Sequence, residues 1–156
     1  ILEMTVQENL TMAVRKKLSK RGIMRESDSR EFSEKYVKDL TIRTPGIFQR
    51  VKNLSGGNQQ KVVLGKWLGV DPEILIFDEP TRGIDVGAKQ EIYKIMTEIV
   101  RQGKSIIMIS SDMEELLGMS DRMVMLSKGR QTGMLEKEEF TQERVLNYIS
   151  EVVEDE

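Results

Sequence analysis

Apolar residues at Val6, Leu10, Ala13, Val14 and Leu18 recur at the spacing of one helical face and predict a helix over 6–18, stopped by Gly22. A second helix is expected over 28–41, where Phe32, Tyr36, Val37 and Leu40 share a face and Ser27 or Asp28 can cap. Thr44-Pro45-Gly46 breaks the pattern, so the first third reads as a small helical unit. The rhythm then changes. Ser55 is the N-cap candidate of a helix running to Leu68, and Ile74-Leu75-Ile76-Phe77 is a short apolar run suited to a buried strand. A helix over 85–102 carries Ile92, Ile95, Met96 and Ile99 on one face, and 105–109 reads as a second buried strand. A short helix at 112–118, a third apolar run at 123–126, a Lys128-Gly129 turn, a returning strand over 131–135 and a helix over 138–152 complete the chain. Alternating strands and helices predict a parallel sheet covered by helices.

Composition narrows the picture by exclusion. The 156 residues suffice for one domain with its own core, and 38% apolar with 32% charged residues fits a globular chain. No run of eighteen apolar residues is present. The first residues show no secretory-signal pattern, and Ile rather than Met stands at position 1, so a piece of a longer chain is expected. With neither Cys nor His, disulfides, thiolate and imidazole metal sites and Ser-His-Asp triads are excluded. Net charge is −2, yet 1–52 hold twelve Lys/Arg against seven Asp/Glu, while 136–156 hold two against eight. The cluster Arg15, Lys16, Lys17, Lys20, Arg21 and Arg25 has the charge to attract phosphate, but no interleaved aromatics for base stacking. It reads as the solvated end of a helix and a loop, and no nucleic-acid partner is expected. Five of the ten Met (Met24, Met108, Met119, Met123 and Met125) lie in or near apolar runs and read as core filling.

Two strings carry chemistry. In Leu54-Ser55-Gly56-Gly57-Asn58-Gln59-Gln60-Lys61, a hydroxyl and two glycines precede a helix. The backbone N–H groups at that end, the helix dipole and the close approach that glycine permits make an anion-binding arrangement, most naturally for phosphate. In Ile74-Leu75-Ile76-Phe77-Asp78-Glu79-Pro80-Thr81, a strand ends in two carboxylates at the carboxyl edge of the expected sheet, where such sheets bind ligands. Burial of both there is costly unless a cation or a reaction needs them. Asp78 suits Mg²⁺ held through water, and Glu79 suits polarising a water for attack on phosphate.

In this order the two strings resemble the ABC ATPase family. The L-S-G-G-x-Q string looks like its signature, the strand ending Asp78-Glu79 like its Walker B motif with the catalytic glutamate, and Gly83-Ile84-Asp85 falls at its D-loop. Gln59-Gln60-Lys61 and the stretch 80–89 are similar to the carbohydrate-importer branch, in which one chain carries two fused ATPase domains. The stretch 110–122 looks like the second domain of ribose, galactose or xylose importers. The resemblance covers nearly the whole chain and is weakest over 19–45. It implies a partial P-loop NTPase fold of the α/β class, a parallel sheet flanked by helices, with a partial helical subdomain over 1–53 and the C-terminal half of the ATPase core over 54–156. It implies ATP with Mg²⁺, Ser55, Gly56, Gly57, Gln59 and Asp85 at the nucleotide, Asp78 toward the metal, and Glu79 and Ser111 as catalytic positions. The implied partners are the other ATPase domain of the same chain or a dimer partner, and membrane permease subunits, on the inner, cytoplasmic face of the cell membrane.

Two departures qualify that reading. Ser111 stands where the family has its switch histidine and cannot become a cation, so turnover at its site is in question. No G-x-x-x-x-G-K-[ST] string occurs; Gly103-Lys104-Ser105 imitates its end, but Glu98 stands where the leading glycine belongs. Walker A and the Q-loop are both missing, so the piece alone is expected to be inactive, and its cut sheet to favour self-association. A stand-alone interaction module docking through the helical third, or an ABC ATPase of a non-transport type, remain alternatives. The latter is expected to carry coiled-coil or linker insertions, and no sustained heptads occur.

Overall fold

In the computed structural model, which describes residues 1–150, α1 (Val6–Met12) starts at a reciprocal cap. The Glu8 N–H donates to Thr5 Oγ1 at 3.1 Å, and the Thr5 N–H donates to the Glu8 carboxylate at 2.7 Å. The Thr5 N–H, and after it the Thr5 hydroxyl, hold the Glu8 carboxyl below its ordinary range. The helix expected over 6–18 is in fact two, α1 and α2 (Arg15–Leu18). The chain tightens between them: the Thr11 hydroxyl bonds back to Gln7 O at 2.8 Å, and the Val14 N–H reaches only Thr11 O, at 3.1 Å.

Helix α3 (Glu26–Asp39) begins behind Arg25, ahead of both expected caps. The Ser27 hydroxyl donates to its neighbour Asp28, so neither caps; Gln7 Nε2 ties Glu26 at 3.0 Å instead. The helix ends in a left-handed turn at Thr41 (φ 52°), with Thr41 N–H on Lys38 O and Ile42 N–H on Val37 O at 2.8 Å. Ile42 is thereby turned into a core shared with Val6, Leu10, Leu40, Leu54 and Val62, which joins α1, α3 and α4 (Gly56–Leu68). Helix α5 (Val86–Arg101) buries Ile92, Met96 and Ile99, the face its periodicity predicts save Ile95, which is partly buried.

Strands β1 (Ile74–Asp78) and β2 (Ser105–Ile109) pair in parallel, since the Ser105 N–H meets Glu73 O and the Glu79 N–H meets Ile109 O in the same sense. Neither is buried on both faces. Leu75 and Phe77 face inward, whereas Ile74, Ile76 and Ile107 face out, Ile76 being 67% exposed. A continuous apolar run therefore reads as a doubly covered strand, but only one face is covered here.

The chain comprises two units, Ile1–Ile76 with Pro80–Ile107, and Phe77–Glu79 with the chain from Met108 on. In the second, α6 (Met113–Met119) precedes β3 (Arg122–Ser127), which forms an antiparallel hairpin with β4 (Arg130–Glu136). Lys128 and Gly129 both take positive φ, 47° and 76°, as a two-residue hairpin turn requires. The third strand thus builds its own two-stranded sheet and does not extend the parallel one. Its Met123 and Met125 pack with Leu135 and with Val145 of α7 (Gln142–Ser150), so its inward face is satisfied within that unit. Val152, where the terminal helix was expected to end, lies outside the described residues.

Leu10 is wholly buried at the meeting of α1 and α4, so Leu10→Ala should cost about 2–5 kcal/mol of unfolding free energy. Ile76→Ser should stay within about 0.5 kcal/mol, because the side chain faces solvent. Urea denaturation of both variants checks the contrast.

Candidate functional site

Ser55 takes the N-cap backbone conformation of α4, and its carbonyl accepts the Gln59 N–H at 2.9 Å. Its hydroxyl does not cap the helix. Asn58 Nδ2 donates to it at 2.8 Å, while Asn58 Oδ1 accepts the Arg43 N–H at 2.8 Å. The N–H groups of Gly56, Gly57 and Asn58 find no acceptor among the described residues. Three unpaired donors, a serine hydroxyl and the positive end of a thirteen-residue helix make a cradle that fits a phosphate oxygen.

The same glycines let α4 approach the segment before α5. A Cβ on Gly57 would lie 2.5 Å from the Ala88 Cβ, and one on Gly56 would lie 3.4 Å from the Ile84 side chain. Asp85, expected at the nucleotide, is the N-cap of α5 and accepts the Ala88 N–H at 2.9 Å. Gln59, also expected there, turns its amide back to donate to Leu54 O at 2.9 Å. Gln59 therefore shapes the backbone that carries the glycines, and Asp85 the start of the helix they approach.

Deeper in α4, Lys61 is 2% exposed. Its ammonium donates to Thr41 O at 2.9 Å and pairs with Glu91 of α5 at 2.7 Å. The other Glu91 oxygen meets Arg43 at 3.2 Å. The hydrogen bond and charge of Lys61 hold the Glu91 carboxyl below its ordinary range, with a lesser push from Arg43. The turn after α3, the middle of α4 and the first half of α5 are thus joined by one ammonium.

In the second unit, Asp78 ends β1 and is exposed, and Glu79 is half-buried. The expectation of two buried carboxylates is corrected: with one face of β1 uncovered, water reaches them. Glu79 is held in the left-handed region at φ 48°, a conformation that costs a non-glycine residue on the order of 1–3 kcal/mol. Two bonds hold it there: its N–H donates to Ile109 O at 2.8 Å, and its carboxylate accepts the Ser111 N–H at 3.0 Å. Ser111 meets Glu79 through its backbone; no hydrogen bond of its hydroxyl occurs among the described residues. The loop presenting it is pinned on both sides. The Ser110 hydroxyl donates to the buried Glu115 and accepts the Asp112 N–H at 3.0 Å, and Asp112 accepts the Glu114 and Glu115 N–H groups. No group of three carboxylates able to cage a metal occurs among the described residues. Asp78 and Glu79 fit Mg²⁺ in the way that ion prefers, with one or two protein carboxylates and the remaining positions left to water and phosphate.

Sequence reasoning missed Asn58, Arg43 and Glu115. The first lies inside the glycine string, and its spacing of three from Ser55 was a signal for contact across one helical turn. Glu115 stands three after Asp112 at the start of α6, a spacing that was likewise a signal, whereas Arg43 acts through a contact with Asn58 that no local pattern announces.

Comparison with known proteins matches this geometry to a family. The profile described as "ABC transporter" matches residues 1–82. The ribose import ATP-binding protein RbsA of Clostridium tetani is 51% identical over 150 residues, which is 95% of this chain and 30% of that protein. The xylose import ATP-binding protein XylG of Thermoanaerobacter pseudethanolicus is 53% identical over 143 residues, 92% of this chain and 28% of that protein. The chain therefore spans about 30% of the length of the curated relatives it matches. Among solved structures, an inward-facing putative metal-chelate type ABC transporter superposes with a TM-score of 0.81 at 13% identity, covering 96% of this chain and 59% of its own. A dimeric ATP-binding cassette in a post-hydrolysis state, bound to ADP and Pi, gives 0.74 at 22% identity, covering 90% and 60%. At those identities the structures establish the fold.

Alanine is ordinarily worth up to about 1 kcal/mol over glycine within a helix. At Gly57 the contact with Ala88 reverses the sign: Gly57→Ala should destabilise by about 1–3 kcal/mol. Gly57→Ala paired with Ala88→Gly should recover most of that loss, read by thermal unfolding.

Proposed function

The chain belongs to the ABC transporter family, and on that premise we propose that it is the C-terminal part of the second ATP-binding domain of a carbohydrate importer of the ribose, galactose or xylose type. The observation that carries the reading is the open end of α4, three donors without acceptors beside a serine whose oxygen is already bonded. A phosphate group is the ligand such an end is built for. In this reading Ser55, Gly56 and Gly57 meet the γ-phosphate of ATP held by the other ATPase domain of the chain or by a dimer partner. Gln59 and Asp85 shape the backbone around it.

Asp78 and Glu79 serve a different nucleotide, held by phosphate-binding residues that this chain does not contain. Asp78 would hold Mg²⁺ through water, and the ion would offset charge on the phosphate oxygens. Glu79 accepts a proton from the attacking water, and its carboxylate is aimed for this by the Ser111 N–H. Ser111, at the switch position, contributes a backbone donor where an imidazolium would add charge. Residues 1–53 form part of the helical subdomain, facing the membrane permease subunits, and 54–156 the C-terminal half of the ATPase core. The intact protein couples ATP hydrolysis to sugar import from the inner, cytoplasmic face of the cell membrane, and the sugar is chosen by its membrane and binding partners.

The chain by itself should show no micromolar binding of Mg-ATP by titration calorimetry, and its uncovered isoleucines should bring it off a size-exclusion column above monomer mass. Micromolar affinity would count against the division of the site across domains. In the full-length ATPase, Glu79→Gln should slow single-turnover hydrolysis at its own site more than Ser55→Ala does. The reverse ranking would overturn the assignment of roles.

A further inference from the structure

We propose that Asn58 is a positioning residue that aims the proton of the Ser55 hydroxyl outward, toward an anion at the end of α4, and takes its own bearing from the turn at 41–43. The proposal rests on the reading of Ser55 as a phosphate contact. A serine at the N-cap usually spends its oxygen on the backbone N–H groups of the first turn. Here that oxygen accepts from Asn58 Nδ2 instead, at 2.8 Å. The orientation of the amide is dictated by its other end. A backbone N–H can only donate, so the atom facing Arg43 N, at 2.8 Å, must be Oδ1. The atom facing Ser55 is then the NH₂ group, which can only donate in turn. The Ser55 oxygen accepts, and the proton of its hydroxyl has no acceptor among the described residues, which leaves it available to an anion at the helix end.

The reference point for this relay is tied into the fold. Arg43 follows the left-handed Thr41, whose carbonyl is held by the buried Lys61 ammonium at 2.9 Å. The Arg43 guanidinium is held by Glu91, which Lys61 also grips. A free serine hydroxyl samples three rotamers. This one is restricted by a path of bonds that begins at the end of α3, so that a shift of that turn would redirect the donor.

Asn58→Asp separates the two bonds. A carboxylate still accepts the Arg43 N–H but cannot donate to Ser55, and the serine proton turns inward to the new acceptor. In the full-length ATPase the thermal midpoint should hold or rise, because an acid in the first turn suits the helix dipole. Steady-state hydrolysis at saturating Mg-ATP should fall at least about tenfold, in keeping with the loss of one aimed donor. Asn58→Ala, which removes both bonds, should lower the midpoint yet slow hydrolysis no more than Asn58→Asp. Simple repulsion of phosphate by the new charge is separated by the Ser55→Ala background. With no hydroxyl left to aim, adding Asn58→Asp should cost less than about twofold further, whereas repulsion would cost its full factor again. Parent-like hydrolysis in Asn58→Asp, or full additivity with Ser55→Ala, overturns the proposal. Parent-like hydrolysis in Ser55→Ala alone would instead sink the assignment of the phosphate site, a result distinct from either.

Discussion

The unit that holds the glycine string depends on one buried ammonium. Lys61 leaves water almost completely and recovers that loss with a carbonyl and a carboxylate drawn from two different helical segments. Removing one partner of such a pair strands the other, which makes the joint intolerant of piecemeal change. Its second partner, Glu91, is 38% exposed, so the ammonium bears most of the desolvation. Everything that makes the end of α4 an anion site is referred to this joint: the turn that orients Asn58, the approach of Gly57 to Ala88, and the line of α5 from its Asp85 cap.

The second unit meets a different constraint. Glu79 stands in a backbone region that suits glycine, and two hydrogen bonds to the end of β2 and the loop beyond it hold it there. Local strain of this kind survives only where the surroundings overdetermine it. The Ser110-Asp112-Glu115 knot supplies that rigidity, since a buried carboxylate and a capped helix fix the loop whose N–H group reaches Glu79. Strain and support are encoded within a few residues of each other in space but some thirty apart along the chain.

How much of this was legible depended on whether the signal was local. Helical periodicity located α5 to within a residue at each end, and the Lys128-Gly129 pair announced its hairpin, because φ preferences and side-chain spacing are written in neighbouring residues. Ser55 was placed correctly at the start of α4, yet the use of its hydroxyl was not, since that depends on Asn58 and on Arg43 across the fold. The start of α3 was misplaced because Ser27 had a nearer partner than the helix end. The strands were read as buried on both faces because an apolar run looks the same whichever side has a cover. The separate hairpin sheet of β3 and β4 follows from which side chains find partners, a property of three dimensions that no periodicity contains.

The outward isoleucines of β1 and β2 set how the polypeptide fares when produced alone. Ile74, Ile76 and Ile107 offer water a row of β-branched side chains on a sheet that has two strands among the described residues. That is the feature by which chaperones and proteases distinguish unfinished proteins from finished ones. Such a row gives quality control something to bind beside a well-packed helical core, so the lifetime of this chain on its own would depend on that exposed surface as well as on its thermodynamic stability.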